Sequence, residues 1–218
     1  MKNFSFPSLN EVESFRNALN SEQGVFGPFM ITGDPAFVEC AGYAGYDFVL
    51  LDMEHGPVSF ERLQAAAAVS AAKFSPIGTR GTCRFTRSAC YGADSGKNYF
   101  HAAQDTMVMI QAEGTKAIEN IDAILNVDGI DVIFIGPYDL SASLGIIGQI
   151  EHPEICDTIQ EIVQKADKKG IKVGCFANDV AMAQKWRSLG VRFIGYSCDT
   201  NIFFEGAKRD VAIFHTQV

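Results

Sequence analysis

The chain has 218 residues, 47% of them hydrophobic, which is enough apolar surface for one folded domain with a substantial core. Acidic residues outnumber lysine and arginine by 26 to 18, and the net charge of -8 argues against a general nucleic-acid-binding or anionic-membrane-binding surface. The sequence shows no hydrophobic signal segment and no run near the ~20 apolar residues that a membrane span needs, so we expect one cytoplasmic domain over residues 1–218.

The first part of the chain alternates between helical and strand patterns. Helices are predicted at 8–20, 34–42 and 59–72, and strands at 24–33 and 46–51. The second strand contains the uncharged run Phe48–Leu51, which suits a strand that is buried on both faces. This alternation of strand and helix is typical of parallel sheets.

The rhythm breaks between residues 73 and 104, where prolines, glycines and scattered charges leave no convincing strand. A structureless stretch of this length inside a compact domain is either functional or a sign that part of the fold is missing. Beyond it, strands are predicted at 105–113, 130–136, 171–176 and 191–196, and helices at 115–125, 153–169, 179–189 and 199–212.

Six short strands that alternate with helices predict a parallel α/β protein. An open doubly wound sheet and a TIM barrel both fit this pattern. No Gly-x-Gly-x-x-Gly follows any strand, which argues against the dinucleotide-binding version of the open sheet. The position of the polar residues favours the barrel.

Polar side chains follow three of the predicted strands. They are Asp52, Glu54 and His55, then Gln111 and Glu113, then Tyr138 and Asp139. In a barrel, the carboxyl ends of different strands converge on one pocket, so Glu113 and Asp139 could bind one divalent cation and leave positions open for a substrate. The structural alternative is that these two carboxylates cap helices, and that His55 is a histidine bonded to a backbone carbonyl.

The cysteines show neither a Cys-x-x-Cys pair nor a spacing typical of a disulfide framework, so we expect free thiols. Cys175 and Cys198 lie in or beside apolar runs. We predict core roles for both, because free cysteine is among the most buried residue types.

Four ordered segments together resemble the HpcH/HpaI aldolase family. They are Leu51–Pro57 (LDMEHGP), Arg80–Gly81, Gln111–Glu113 (QAE) and Phe134–Ser141 (FIGPYDLS), and the resemblance runs from about residue 6 to 212. The resemblance implies a metal-dependent (class II) pyruvate aldolase on a TIM (β/α)8-type barrel, related to citrate lyase β-type enzymes.

The resemblance also implies roles for individual residues. His55 would be the catalytic base, and Glu113 and Asp139 would be the ligands of a divalent cation such as Mg²⁺, Mn²⁺ or Co²⁺. Gln111 and the backbone around Tyr138 would contact the 2-oxo acid. We further consider Asp52, Glu54 and Arg80 as supporting residues.

The implied reaction is the reversible cleavage of a 4-hydroxy-2-oxo acid into pyruvate, or a similar 2-oxo acid, and an aldehyde. Two alternatives stay open: a CoA-thioester lyase of the citrate lyase β type, and a non-catalytic remnant that binds metal and oxo acid. By resemblance the partners would be small molecules and further copies of the chain in a trimer or hexamer, with no nucleic acid and no membrane.

One departure from the family pattern concerns the third and fourth strands. The resemblance implies an arginine at the end of the third strand and an aspartate before the fourth, but Ala65–Gly81 runs from the helix after strand two into the end of the helix after strand four. We therefore expect that about two βα units are absent from the sequence. Omitted residues or an in-frame deletion explain this better than a six-stranded variant, because removing adjacent strands exposes two unpaired edges.

Overall fold

A computed structural model describes residues 9–32, 35–51, 65–83, 85, 99–100 and 103–216. The described parts of 1–14 and 62–173 form one compact unit, and those of 15–61 and 174–218 form a second. The single domain over residues 1–218 stays a prediction.

Helices and strands alternate along the described chain. The helices are α1 (Leu9–Asn20), α2 (Pro35–Ala44), α3 (Ala65–Ala72), α4 (Thr115–Glu119), α5 (Ile121–Ile124), α6 (Pro137–Ser143), α7 (Pro153–Asp167), α8 (Val180–Ser188) and α9 (Asp199–Thr216). The strands are β1 (Val25–Met30), β2 (Leu50–Leu51), β3 (Met109–Gln111), β4 (Val132–Ile135), β5 (Lys172–Ala177) and β6 (Phe193–Cys198). A 3₁₀-helix spans Ala103–Asp105.

The second unit contains a parallel sheet in which the first strand of the chain pairs with the last. β1 pairs with β2 on one side, with Phe29 opposite Leu50, and with β6 on the other, with Val25 opposite Phe193. β6 also pairs with β5, where Gly174 lies opposite Phe193.

The first unit is built on the parallel pair of β3 and β4, in register from Met109 opposite Val132 to Gln111 opposite Phe134. All four residues of β4 are buried, as expected of a strand covered on both faces. The backbone N–H of Lys172 at the start of β5 donates to the carbonyl of Asp131, 3.0 Å away, so β4 also has a neighbour on its other side.

The sequence explains where α7 begins and which face it buries. His152 caps the helix by accepting a hydrogen bond from the N–H of Glu154 at 3.3 Å, and Pro153 occupies the first turn, where its missing N–H costs nothing. The residues of α7 that recur at helical spacing are buried, and they are Ile155, Ile159, Ile162, Val163 and Ala166. This apolar stripe holds α7 on the first unit.

The predicted parallel α/β architecture is confirmed, and three predicted elements need correction. The strand predicted over 46–51 is only the two-residue strand β2, and residues 48–50 are half-buried rather than buried on both faces. The strand predicted from residue 105 begins only at Met109, because Asp105 ends the 3₁₀-helix. In the segment before β3, backbone carbonyls accept hydrogen bonds from a side chain: the Lys73 ammonium donates to the carbonyls of Gln104 and Thr106.

The helix predicted over 115–125 is two short helices. Asn120 separates α4 from α5, and its side-chain amide donates to the carbonyl of Lys116 at 2.7 Å. Asparagine favours such a break because its side chain competes for backbone partners.

Two further sequence expectations can be compared with the described residues. Cys175 is fully buried, as predicted, whereas Cys198 is half-buried, with its Sγ 3.3 Å from the hydroxyl of Thr200. Within the described ranges, none of the helices is long and apolar enough to cross a membrane.

Candidate metal-binding site at the ends of β3 and β4

Two carboxylates follow the paired strands of the first unit. Glu113 comes two residues after the end of β3, and Asp139 is the third residue of α6, which begins directly after β4 and Gly136. The N–H of Ala112 donates to the carbonyl of Phe134 at 2.7 Å, so the strands stay together up to Glu113. Parallel pairing therefore brings both carboxylates to the same edge of the sheet.

The two carboxylates approach each other next to Gly136. A Cβ atom on Gly136 would lie 2.6 Å from Oε2 of Glu113 and 3.3 Å from Oδ2 of Asp139. The two oxygens are therefore at most about 5.9 Å apart, the sum of these distances. Glu113 is half-buried and Asp139 is exposed, so a ligand can reach the space between them from solvent.

These residues fit a hard divalent cation. Carboxylate oxygens are the ligands that Mg²⁺ and Mn²⁺ prefer, and Mg²⁺ is commonly bound by one or two carboxylates together with substrate oxygens. Within the part of the chain that the structure describes, no group of three or more His, Cys, Asp or Glu residues could hold a metal. A cation here would have Glu113 and Asp139 as protein ligands and positions left for substrate.

Gln111 contacts one of these carboxylates directly. Its side-chain amide donates a hydrogen bond to Oε2 of Glu113. Gln111 is exposed at the last position of β3, so its amide can also reach a bound molecule. The structure thus brings together Gln111, Glu113 and Asp139, although their predicted roles stay predictions.

The capping alternative does not describe the two helices beside the site. The N-cap residues of α4 and α6 are Gly114 and Gly136, and neither helix has a side-chain hydrogen bond at its cap. Glu113 and Asp139 are therefore not the residues that cap them.

Hydrogen bonds fix α6, which carries Tyr138 and Asp139. The hydroxyl of buried Ser141 donates to the carbonyl of Tyr138 at 2.6 Å and accepts from the N–H of Gly148 at 2.9 Å. The Tyr138 side chain is 44% exposed. Ser141 thus ties the helix to the loop that follows it, which limits the movement of Asp139.

The remaining predicted site residues lie elsewhere. The guanidinium of Arg80 lies 4.8 Å from the centre of the Phe74 ring and donates to the carbonyl of Ala72 at 3.5 Å. These contacts give Arg80 a packing role after α3, and its supporting role stays a prediction. His55, Asp52 and Glu54 lie outside the described residues.

The sequence analysis missed a second polar cluster, at the carboxyl ends of β1 and β6 in the second unit. Asp199 is 4% exposed and accepts hydrogen bonds from the N–H groups of Ile31, Thr32 and Thr200 and from the Thr32 hydroxyl. Burial opposes ionisation of Asp199, but the hydrogen bonds from Thr32, Thr200 and Ile31 outweigh it and lower the pKa of the carboxyl. The carboxylate therefore joins the ends of the two strands.

The sequence signal for this cluster was a carboxylate residue that follows a strand. A carboxylate shortly after a strand is also the signal that identified Glu113 and Asp139. The preceding residue, Ser197, is buried and has a left-handed φ of 47°, which is uncommon for a residue other than glycine. Its hydroxyl accepts a hydrogen bond from the Asn201 side chain at 2.9 Å.

Comparison with known proteins identifies relatives along most of the chain. The sequence profile described as HpcH/HpaI aldolase/citrate lyase matches residues 61–205. The match begins after His55, so it does not include the Leu51–Pro57 segment. The 2-keto-3-deoxy-L-rhamnonate aldolases of Klebsiella pneumoniae subsp. pneumoniae and Salmonella typhi are 30% and 29% identical, each alignment covering 92% of this chain and 92% of the relative.

Solved structures of similar proteins show the same fold. An HpcH/HpaI aldolase/citrate lyase family protein from Burkholderia cenocepacia J2315 has a TM-score of 0.83 at 24% identity, covering 93% of this chain and 99% of that one. An HpcH/HpaI aldolase from Desulfitobacterium hafniense DCB-2 has a TM-score of 0.79 at 23% identity, covering 91% and 95%. At these identities the likeness concerns the fold alone. Because the profile and the curated relatives agree over most of its length, the chain belongs to the HpcH/HpaI aldolase/citrate lyase family, and the predicted class of enzyme, an aldolase-type carbon–carbon lyase, is confirmed.

Proposed function

We propose that the chain catalyses the reversible, metal-dependent cleavage of a 4-hydroxy-2-oxo acid into pyruvate, or a similar 2-oxo acid, and an aldehyde. The observation that carries this proposal is that the Glu113 and Asp139 carboxylates both border Gly136, with oxygens 2.6 Å and 3.3 Å from the position of a Cβ there. The relatives named 2-keto-3-deoxy-L-rhamnonate aldolase support a substrate of the 2-keto-3-deoxy sugar acid class.

A divalent cation such as Mg²⁺, Mn²⁺ or Co²⁺, held by Glu113 and Asp139, would supply Lewis-acid polarisation of the 2-oxo group. Gln111 orients the Glu113 carboxylate through its hydrogen bond, and its second amide N–H can donate to a substrate oxygen. We assign to His55 the removal of the 4-hydroxyl proton, through water. As that proton leaves, the aldehyde carbonyl forms at C4, the C3–C4 bond breaks, and its electron pair moves toward the 2-oxo oxygen. A proton from solvent then adds to C3 and gives the 2-oxo acid.

The proposed scaffold is a TIM (β/α)8-type barrel in which part of the third and fourth βα units is absent. The alignment with the Klebsiella relative is 248 positions long, whereas 92% of 218 residues is about 201, so about 47 positions have no residue in this chain. At ~30 residues per βα unit, this corresponds to between one and two units. The described residues between β2 and β3 contain no strand, which agrees with a loss in this part of the barrel.

The test is pyruvate release from a 2-keto-3-deoxy sugar acid, followed with a coupled lactate dehydrogenase assay. We expect a chelator to abolish the release and Mg²⁺ or Mn²⁺ to restore it. Glu113→Gln removes one ligand charge and should weaken metal affinity by at least ~10–100-fold, the cost of losing even a supporting partner. Glu119→Gln, at an exposed position at the end of α4, is the matched control.

Activity that survives both the chelator and Glu113→Gln would refute the proposal. Cleavage of a 3-hydroxyacyl-CoA into a shorter acyl-CoA and a carbonyl compound, without cleavage of any 4-hydroxy-2-oxo acid, would instead select the citrate lyase β type of reaction. Calorimetric binding of pyruvate and metal without turnover of any substrate would select the non-catalytic remnant. His55→Ala tests the assigned base by itself. This variant should abolish turnover and leave metal binding intact.

We also propose that the chain forms a homo-oligomer in which a second copy covers α9. Asp199 is the only buried residue of this 18-residue helix, and three of its exposed side chains are Phe203, Phe204 and Phe214, at 67%, 58% and 77% exposure. With ~200 Å² per aromatic side chain, they expose roughly 400 Å², and burying this area is worth about 10 kcal/mol per copy. That is comparable to the cost of association, ~4–15 kcal/mol.

Analytical ultracentrifugation tests the assembly. We expect an oligomer of the wild-type chain and a shift toward monomer in the double variant Phe203→Asp, Phe214→Asp. Glu119→Gln changes an exposed residue at the end of α4, outside this helix, and should leave the sedimentation unchanged. A monomeric wild-type chain at micromolar concentration would refute the proposal.

A further inference from the structure

Gly136 has an ordinary backbone conformation, so its own dihedral angles do not explain why glycine occupies this position. Its φ is -82° and its ψ is 101°, which any L-residue can adopt. The residue is buried directly after β4. The reason for glycine must therefore be the space around its Cα.

The space beside Gly136 is filled by the two carboxylates of the candidate metal site. A Cβ would lie 2.6 Å from Oε2 of Glu113, closer than real Cβ contacts, and 3.3 Å from Oδ2 of Asp139. The third nearby atom is Cβ of Glu113, also at 3.3 Å. These three nearest atoms all belong to the side chains that the proposed function assigns to the cation.

We propose that Gly136 is a positioning residue for a divalent cation, whose missing side chain lets the Glu113 and Asp139 carboxylates approach closely enough to share it. This inference rests on the proposed function, because it assumes that these two side chains bind the metal. Gly136 itself contacts neither metal nor substrate through a side chain. Its role is to leave space for the carboxylate oxygens of Glu113 and Asp139.

The size of the effect follows from the distances. A Cβ at position 136 needs about 3.4 Å from the nearest carboxylate oxygen, so Oε2 of Glu113 would have to move by about 0.8 Å from its present 2.6 Å. Metal–ligand distances tolerate about 0.2 Å. The movement also disturbs the hydrogen bond from Gln111 to Oε2. We therefore expect a loss of roughly 10–100-fold in metal affinity, as for other outer-shell changes.

The experiment compares Gly136→Ala with Gly114→Ala. Gly114 follows Glu113 directly, has a φ of -97°, and a Cβ there would meet no atom within 4 Å. Mn²⁺ binding is measured by electron paramagnetic resonance of the free ion, with no substrate present. We expect the Kd for Mn²⁺ to rise ~10–100-fold in Gly136→Ala and less than about twofold in Gly114→Ala. Equal Mn²⁺ affinities of wild type and Gly136→Ala would overturn the inference and leave the proposed function standing.

A wild-type chain that binds no Mn²⁺ would overturn both the positioning role of Gly136 and the proposed function. This result is visible before any variant is made. A double-mutant cycle with Glu113→Ala covers the case in which Gly136→Ala folds poorly. Since the carboxylate is the obstacle, the loss in metal-free unfolding temperature caused by Gly136→Ala should disappear in the Glu113→Ala background. A loss of the same size there would show that the obstacle is not the Glu113 carboxylate, and the positioning role would be wrong.

Discussion

Gln104 holds together two segments of the first unit, and its replacement should destabilise the protein. Its Oε1 accepts a hydrogen bond from the N–H of Phe74 at 2.8 Å, and its Nε2 donates to the carbonyl of Phe74 at 2.9 Å. Phe74 is 4% exposed, so water does not replace the amide. The Phe74 carbonyl keeps two other donors, the N–H groups of Ile77 and Gly78, whereas the N–H of Phe74 loses its acceptor.

The expected cost of Gln104→Met follows from this difference. Leaving a buried N–H unsatisfied costs about 1–3 kcal/mol, and the second hydrogen bond contributes about 1 kcal/mol. The variant, which keeps the size of the side chain, should therefore lose about 2–4 kcal/mol of unfolding free energy, a large part of the 5–15 kcal/mol typical of a folded protein.

Urea unfolding followed by circular dichroism measures this loss. Gln184→Met on α8 is the control, because Gln184 is exposed and its replacement should change the unfolding free energy by less than about 0.5 kcal/mol. A loss below 1 kcal/mol for Gln104→Met would refute the reasoning, since it would mean that Phe74 finds another acceptor at little cost.

Two further substitutions test contacts near strand ends. Asp199→Asn should cost about 1–3 kcal/mol at pH 7. Because the folded-state pKa of Asp199 is lowered, the stabilisation by its carboxylate is complete above the ordinary value of 3.8 and is lost as the pH falls through the folded pKa. Urea unfolding should therefore show that the difference in unfolding free energy between wild type and Asp199→Asn becomes smaller in acid. Asp210→Asn, at an exposed position, is the control. Ser141→Ala removes the hydrogen bonds to Tyr138 and Gly148 and should cost about 1–2 kcal/mol of unfolding free energy, measured by urea unfolding. It should also weaken Mn²⁺ binding, measured by electron paramagnetic resonance of the free ion.

The fold could be predicted from the sequence where local patterns are strong. The spacing of buried residues in α7 and the continuous apolar run of β4 each indicate one structure. The boundaries near residues 105 and 120 could not be predicted, because a distant lysine, Lys73, determines the first and the side chain of Asn120 determines the second. Neither partnership leaves a periodic signal in the sequence.

Part of the candidate site could also be predicted from the sequence, and part could not. The positions of Glu113 and Asp139 after apolar strands indicated that they would lie at one edge of the sheet, and the structure brings them together there. The importance of Gly136 could not be predicted, since a glycine before Pro137 also suits a simple turn into a helix. Only the distances from a Cβ placed on Gly136 to two side chains distinguish the two explanations.

The two carboxylates of the candidate site depend on a short part of the chain. β3, β4 and α6 lie within residues 109–143, and the hydroxyl of Ser143 reaches back toward the Glu113 carbonyl at 3.5 Å. These contacts are all made within residues 109–143. Metal binding should therefore survive changes that abolish turnover, because the proposed base, His55, belongs to a different segment. The ratio of metal affinity to activity, rather than activity alone, is then the measurement that distinguishes a shortened aldolase from a binding remnant.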